Sequence, residues 1–153
     1  MADIGRVVVG ADDEGEVLTA AVEELLAHGA DVEVLPTAPW PQVARAVGES
    51  VASGRATSGL LACWTGTGTS MMANKVPGVR AALCWNPWIA EGARRWNDAN
   101  VLVLSLKAIS PEGARAIVRA WLSVAAPDAD EAANIAELAA YEREAAAARP
   151  PGG

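Results

Sequence analysis

The segment Cys63-Trp64-Thr65-Gly66-Thr67-Gly68-Thr69-Ser70 gathers the groups with the most chemical potential: a thiol, a set of hydroxyls and two glycines, placed after an apolar run and before a helical segment. At the carboxyl end of a parallel strand, the N–H groups of a glycine-rich turn and of the following helix converge into an anion pocket. Such a pocket holds a phosphate or stabilises an oxyanion. A thiol at its edge feels the same positive potential, which lowers its pKa and favours the reactive thiolate. The competing reading is structural, because buried cysteines at strand ends are usually inert and a single glycine-rich loop is a weak motif.

Other chemistries find less support. Cys84 ends a second apolar run, and the two cysteines have neither the close spacing of a zinc site nor the density of a disulfide scaffold, so both read as reduced thiols. The one histidine, His28, falls at the end of a helical segment, where it complements the helix dipole and caps carbonyls. No metal-ligand cluster results. Gly66-Thr67-Gly68 lacks a third spaced glycine and does not follow the first strand, which argues against a dinucleotide fingerprint. No cofactor is implied.

The elements that must position this segment alternate between short β-rich runs and longer segments of helical period, the pattern of a parallel sheet covered on both faces. Strands are predicted at Arg6–Val9, Asp31–Leu35, Gly59–Cys63, Val79–Cys84 and Val101–Leu104. Helices are predicted at Val17–His28 with Gly29 as C-cap, Pro41–Ser53, Thr69–Lys75, Ile89–Asn97, from Pro111 to about Val124, and from a cap at Asp128 to near Ala148. The expectation is one α/β domain over residues 1–148, a Rossmann-like three-layer α/β/α arrangement with a five-stranded parallel sheet, followed by a frayed Pro/Gly tail at 149–153. The last helix is so rich in alanine that it is expected to pack on a partner subunit.

Composition narrows the partners. The chain has 153 residues, 52% of them hydrophobic, and a net charge of −7, which fits one globular domain with a sizeable core. An acidic chain without a basic stripe repels phosphate backbones, and no apolar run is long enough to span a bilayer, so neither nucleic acid nor membrane is an expected partner. The opening Met1-Ala2-Asp3-Ile4-Gly5-Arg6 enters a strand directly, which predicts a cytoplasmic product. Tryptophan supplies nearly all the aromatic surface, with 6 Trp, 1 Tyr and 0 Phe. Of these, Trp64, Trp85, Trp88 and Trp96 fall in one middle stretch, while Trp40 and Trp121 read as core or interface anchors.

Cys63-x-Thr65-Gly66-x-Gly68-x-Ser70, followed by Ala73-Asn74-Lys75-Val76-Pro77-Gly78-Val79-Arg80-Ala81-Ala82-Leu83-Cys84 and by Asn97-Asp98-Ala99-Asn100-Val101-Leu102, resembles the ribose-5-phosphate isomerase B family, which includes galactose-6-phosphate isomerases. The opening Gly10-Ala11-Asp12-Asp13-Glu14-Gly15 is similar to that family's serine-aspartate-histidine-alanine-glycine start, and the resemblance runs in order over residues 5–145. It implies a Rossmann-like fold, a homodimer or tetramer with shared active sites, and metal-free interconversion of aldose and ketose phosphates. By the same resemblance Cys63 is the base that moves a proton between C1 and C2. Thr65 is a ring-opening or substrate-binding hydroxyl, and the N–H groups from Gly66 through Thr67, Gly68 and Thr69 to Ser70 hold the enediolate oxygen. Asp12 and Asn97 contact the sugar, and Lys107 stands where a phosphate-binding arginine is common.

Several positions depart from the family pattern. Asp13 and Trp96 replace histidines, the second of them implicated in ring opening. Thr69 stands where another branch carries a glutamate base, and Trp64 replaces a glycine. Asp130 and Asn134 align loosely with phosphate-binding arginines, leaving Lys107, Arg80, Arg94 and Arg95 as candidate cations. Replacing imidazole by indole removes general acid–base help typically worth about 10²–10⁴-fold. The expectation is therefore a divergent aldose–ketose isomerase using Cys63 on a small sugar or related metabolite other than ribose 5-phosphate. Asp13, Trp64 and Trp96 are expected beside the substrate. Two alternatives stay open: epimerase or lyase chemistry through a related enediolate or carbanion, and a catalytically silent binding protein on the same fold.

Overall fold

The computed structural model describes residues 3–152. Met1, Ala2 and Gly153, at the ends of the expected leaderless start and of the tail, lie outside the described residues. The elements run β1 (Arg6–Ala11), α1 (Glu16–Ala27), β2 (Asp31–Val34), α2 (Trp40–Ala52), β3 (Ser58–Cys63), α3 (Thr67–Ala73), β4 (Ala81–Leu83), α4 (Pro87–Asn97), β5 (Val101–Ser105), α5 (Pro111–Leu122), a 3₁₀ turn (Ala129–Glu131) and α6 (Ala132–Ala147).

Five strands form one sheet in the order β2-β1-β3-β5-β4, with every pair parallel. Successive side chains on a strand face opposite sides, so the apolar runs fill two cores. Val7, Val9, Leu60, Ala62, Leu102 and Leu104 pack under α1, α4 and α5. Val8, Leu61, Val101 and Val103 pack under α2 and α3. Each fully buried Leu or Val contributes about 1.5–3 kcal/mol against its exposed state, and the central strands carry these residues on both faces.

Local signals set the helix ends. Gly29, with φ 84°, closes α1: its N–H donates to the Leu26 carbonyl and that of Ala30 to Leu25, the pairing of a Schellman motif. His28 lies at this end and its Nδ1 is 2.9 Å from the Glu24 carbonyl oxygen. Asn86 and Ser110 cap α4 and α5 through Ile89 N–H and Gly113 N–H, each followed by a proline.

Most element ends fall within two residues of the sequence expectation, α3 for instance at Thr67–Ala73 rather than Thr69–Lys75, and the differences at β4 and before the last helix have identifiable causes. β4 is shortened at both ends, starting at Ala81 rather than Val79. Side chains take over its entry: Asn100 Oδ1 accepts from Arg80 N–H, and Asn74 both accepts from Ala81 N–H and donates to Ala81 O. Asp128 is not the cap of the last helix. Its carboxylate pairs with Arg95 at 3.2 Å, and a 3₁₀ turn intervenes before α6. α6 has no buried residue, and Leu138 and Tyr141 stand exposed on it. No helix of the described residues is long and apolar enough to cross a membrane.

Candidate active site at the carboxyl edge of the sheet

Strand register brings the first candidates together. Ala11 pairs with Ala62 and Cys63 with Ser105, so the next step along β1 sets Asp12 beside Cys63. By strand alternation Asp12, Cys63 and Ser105 project toward the α2/α3 side, continuing the Val8, Leu61 and Val103 rows. Cys63 is buried, with Sγ 3.3 Å from the Thr69 hydroxyl, which itself donates to the Gly66 carbonyl. With the hydroxyl proton on Gly66 O, the Cys63 S–H donates to Thr69 Oγ1; to hold a thiolate the hydroxyl must turn its proton from Gly66 O to the sulfur.

The loop between β3 and α3 depends on glycine at two points. Gly66 has φ 81°, in the left-handed region, and a side chain there would meet Leu83 and lie 3.1 Å from the Leu104 carbonyl oxygen. Gly68 lies under the Trp40 ring, which a Cβ would approach to 3.0 Å. Ser70 N–H already donates to Gly66 O, and Thr67 N–H lies 3.4 Å from Thr65 Oγ1, which is 2.7 Å from Thr67 Oγ1. Of the expected Gly66–Ser70 donor set, Thr67 and Ser70 N–H are thus engaged within the loop, which leaves the N–H groups of Gly66, Gly68 and Thr69. Trp40, read from sequence as an anchor, is a half-exposed wall of this loop; the only sequence signal for it is the missing side chain at Gly68.

Neighbouring carboxylates behave oppositely. Asp12 Oδ1 is buried without a hydrogen-bond partner, and burial, helped by the Asp13 charge, pushes the Asp12 carboxyl above the usual carboxylate range. Asp13 is held below that range by the Trp64 indole N–H, donated to Oδ2 at 3.0 Å, then by Glu14 N–H and the Lys107 charge. Lys107 Nζ lies 5.0 Å from the Trp64 ring centroid, and Lys107 N–H donates to Trp64 O. Thus Asp13, Trp64 and Lys107 also meet at this edge. Cys84 is buried in the core on the other face of the sheet, with Leu102, Leu104 and Ala90, and that burial pushes its thiol up to about 12.

Trp96 and Asn97 lie far from this cluster within one chain. α4 runs back from the carboxyl edge, and Asn100 O accepts from Gly59 N–H at the opening of β3. The 11 residues of α4 span about 16 Å at 1.5 Å per residue, so its last residues sit at the opposite edge. Trp96 packs edge-on against Trp88, with centroids 5.7 Å apart. Asn97 lines a groove of about 630 Å³ beneath α6, with Arg80, Tyr141 and Glu142. His28 also lies at that opposite edge, where α1 ends before β2 begins.

The remaining candidate cations are structural. Arg80 donates to Asp98 O and pairs with the Asp98 carboxylate at 3.2 Å. Arg94 donates to Ala99 O and stacks 5.3 Å from the Trp121 centroid, and Arg95 pairs with Glu91 and Asp128. Asn134, at the opening of α6, donates to Glu131. Asp98 closes α4 in a left-handed conformation while Asn100 holds Arg80 N–H and Gly78 O, so most of the Asn97–Asn100 run is a structural corner.

Known proteins share this fold. Residues 7–138 match the family model described as Ribose/Galactose Isomerase. Ribose-5-phosphate isomerase B of Escherichia coli is 36% identical over 126 residues, 76% of this chain and 83% of that protein. D-erythrulose-4-phosphate isomerase 2 of Mycolicibacterium smegmatis is 36% identical over 132 residues, 86% of this chain and 84% of its own length. The solved ribose-5-phosphate isomerase B of Clostridium thermocellum superposes with a TM-score of 0.85 at 30% identity, covering 92% of this chain and 99% of that one. With the glycine loop, Cys63 and Asp12 assembled on one sheet edge, and with matches of this extent, the chain belongs to the ribose/galactose isomerase family.

Proposed function

We propose that the protein interconverts the aldose and ketose forms of a small sugar phosphate other than ribose 5-phosphate, with Cys63 as the base. The observation that carries this reading is the placement of the buried Cys63 sulfur against the Thr69 hydroxyl at the glycine loop, with Asp12 beside it on the same edge. The Cys63 thiolate takes the proton from C2 of the open aldose, and the electrons move into the C1 carbonyl to give an enediolate. Gly68 and Thr69 N–H groups face the developing oxyanion, a contribution of about 3–4 kcal/mol per preorganised donor. The O2 hydroxyl proton passes to O1, and return of the first proton to C1 yields the ketose. Asp12 and Thr65 hold substrate hydroxyls.

The same reading takes a second copy of the chain to complete the site. α6 packs on that copy, and its Trp96 and Asn97 approach the Cys63 loop that they cannot reach within one chain. The substrate is a soluble metabolite of the cytoplasm. Ribose 5-phosphate is disfavoured because the site edge has no imidazole to open a furanose ring, a step that a four-carbon aldose 4-phosphate, whose O4 is blocked, does not need. The names of relatives extend to a four-carbon ketose phosphate. A second reading, an unphosphorylated sugar, is favoured by Lys107, whose ammonium is already engaged with Trp64.

Incubation of purified protein with erythrose 4-phosphate, ribose 5-phosphate and their unphosphorylated counterparts, followed by proton NMR, tests this. The expected result is ketose formation from a substrate other than ribose 5-phosphate; conversion of ribose 5-phosphate as the preferred substrate overturns the specificity, and conversion of none overturns the isomerase reading.

A further inference from the structure

We propose that Trp64, held by Asp13 and Lys107, is a specificity-determining wall that limits how far the substrate chain extends from Cys63. This rests on the isomerase reading above and adds to it the length of the substrate. Trp64 follows Cys63 directly, so its indole begins one residue from the reacting sulfur. It stands 58% exposed at the carboxyl edge of the sheet, yet it is held at several points. Its Nε1–H donates to Asp13 after β1, its ring faces the Lys107 ammonium after β5, and its carbonyl accepts from both the Ser105 hydroxyl and Lys107 N–H.

The carbonyl contacts fix the backbone from which the indole projects, and the Asp13 hydrogen bond and the Lys107 ammonium favour one orientation of the ring. The indole lies between Asp13 after β1 and Lys107 after β5, one residue from Cys63, and on this proposal it stands where the distal carbons of a sugar anchored at Cys63 would extend. An indole fills the volume of several CHOH units, and its face suits the C–H face of a polyol. Trp40, over Gly68, bounds the loop at another point. The reach of a substrate anchored at the loop is therefore set by Trp64. Asp13 acts through Trp64 and is a positioning residue. Its carboxylate charge is balanced locally by Lys107, so the pair presents little net charge to the distal end of the substrate.

The test compares kcat/KM for erythrose 4-phosphate, ribose 5-phosphate and glucose 6-phosphate across wild type, Trp64→Gly, Asp13→Ala and Asp13→Asn. Trp64→Gly is expected to shift preference toward the longer substrates by about tenfold or more. Asp13→Ala is expected to shift it the same way, while Asp13→Asn, which keeps an acceptor for the indole, stays near wild type. A selectivity ratio unmoved by Trp64→Gly overturns the proposal.

A second readout is independent of turnover. Of the indole N–H signals of the ¹⁵N-labelled protein, the Trp64 signal is identified by its loss in Trp64→Phe and followed as each sugar phosphate is added. Movement with erythrose 4-phosphate but not with glucose 6-phosphate is expected. If the signal moves and no turnover occurs, the isomerase reading fails while the wall stands. If no sugar phosphate moves it, the wall is overturned whatever the turnover.

Discussion

Cys63 and Cys84 are the same residue type at the ends of successive strand runs, β3 and β4, which β5 separates in the sheet, and the structure distinguishes them by environment. Burial holds Cys84 as a thiol well above neutral pH, whereas Cys63 meets a hydroxyl and a glycine loop. That difference follows from what lies after each strand, and it is legible in the sequence: Thr65-Gly66-Thr67-Gly68 follows one, Trp85-Asn86-Pro87 the other. The state of Asp12 and Asp13 is not legible, because it depends on which oxygen is buried and which finds an indole. It leads to two pH predictions of opposite sign. The native pKa of Asp12 lies above its unfolded value, so the native state holds a proton more readily, and its ionisation costs stability as pH rises through that interval. Asp12→Asn is expected to raise the urea midpoint near neutral pH, with the gain disappearing below about pH 4, even though activity falls. The native pKa of Asp13 is lowered, so its contribution is present above the unfolded value and is lost as pH falls through the native one. Asp13→Ala is expected to lower the midpoint near neutral pH and to converge on wild type in acid. Parallel slopes for the two variants would contradict this assignment.

Among elements, the central strands were readable as continuous apolar runs because both of their faces are buried, and α5 because Ser110-Pro111 and its apolar spacing agree. The limits of β4 were not readable, since Asn74 and Asn100, distant in sequence, satisfy its first backbone groups. The 3₁₀ turn before α6 was missed because Asp128 finds Arg95 instead of a helix N-terminus. The separation of Trp96 and Asn97 from Cys63 did have a signal: in a βα unit the helix runs back against its strand, so residues at the end of α4 belong to the opposite edge. The β3–α3 loop makes a prediction at this scale. Gly66→Ala forces an L side chain into the left-handed region against the Leu104 carbonyl and Leu83. It is expected to cost on the order of 1–3 kcal/mol in urea unfolding and to abolish turnover. Gly68→Ala has only the edge of Trp40 to displace, so its unfolding cost is expected to be smaller. Equal costs would contradict this account of the loop.

For the whole molecule, a single copy leaves α6 without a buried residue, with Leu138 and Tyr141 exposed, and leaves Trp85 and Trp88 exposed along with them. The alanine content of α6 marked it as a helix with little to pack on in its own chain, which was readable; the groove beneath it, tied by Glu142 accepting from Gly78 N–H, was not. If two copies share their sites, sedimentation velocity is expected to give a dimer or tetramer at micromolar concentration. Leu138→Asp with Tyr141→Asp is expected to shift it toward monomer and to remove turnover together with assembly. A monomeric wild type with full activity would contradict the shared site.

The most direct test of the central claim follows solvent deuterium into C2 of the aldose by proton NMR in D₂O, for wild type and for Cys63→Ala. The account predicts exchange by wild type on the substrate it isomerises and none above background for Cys63→Ala. Exchange at an undiminished rate in Cys63→Ala would show that another group moves the proton.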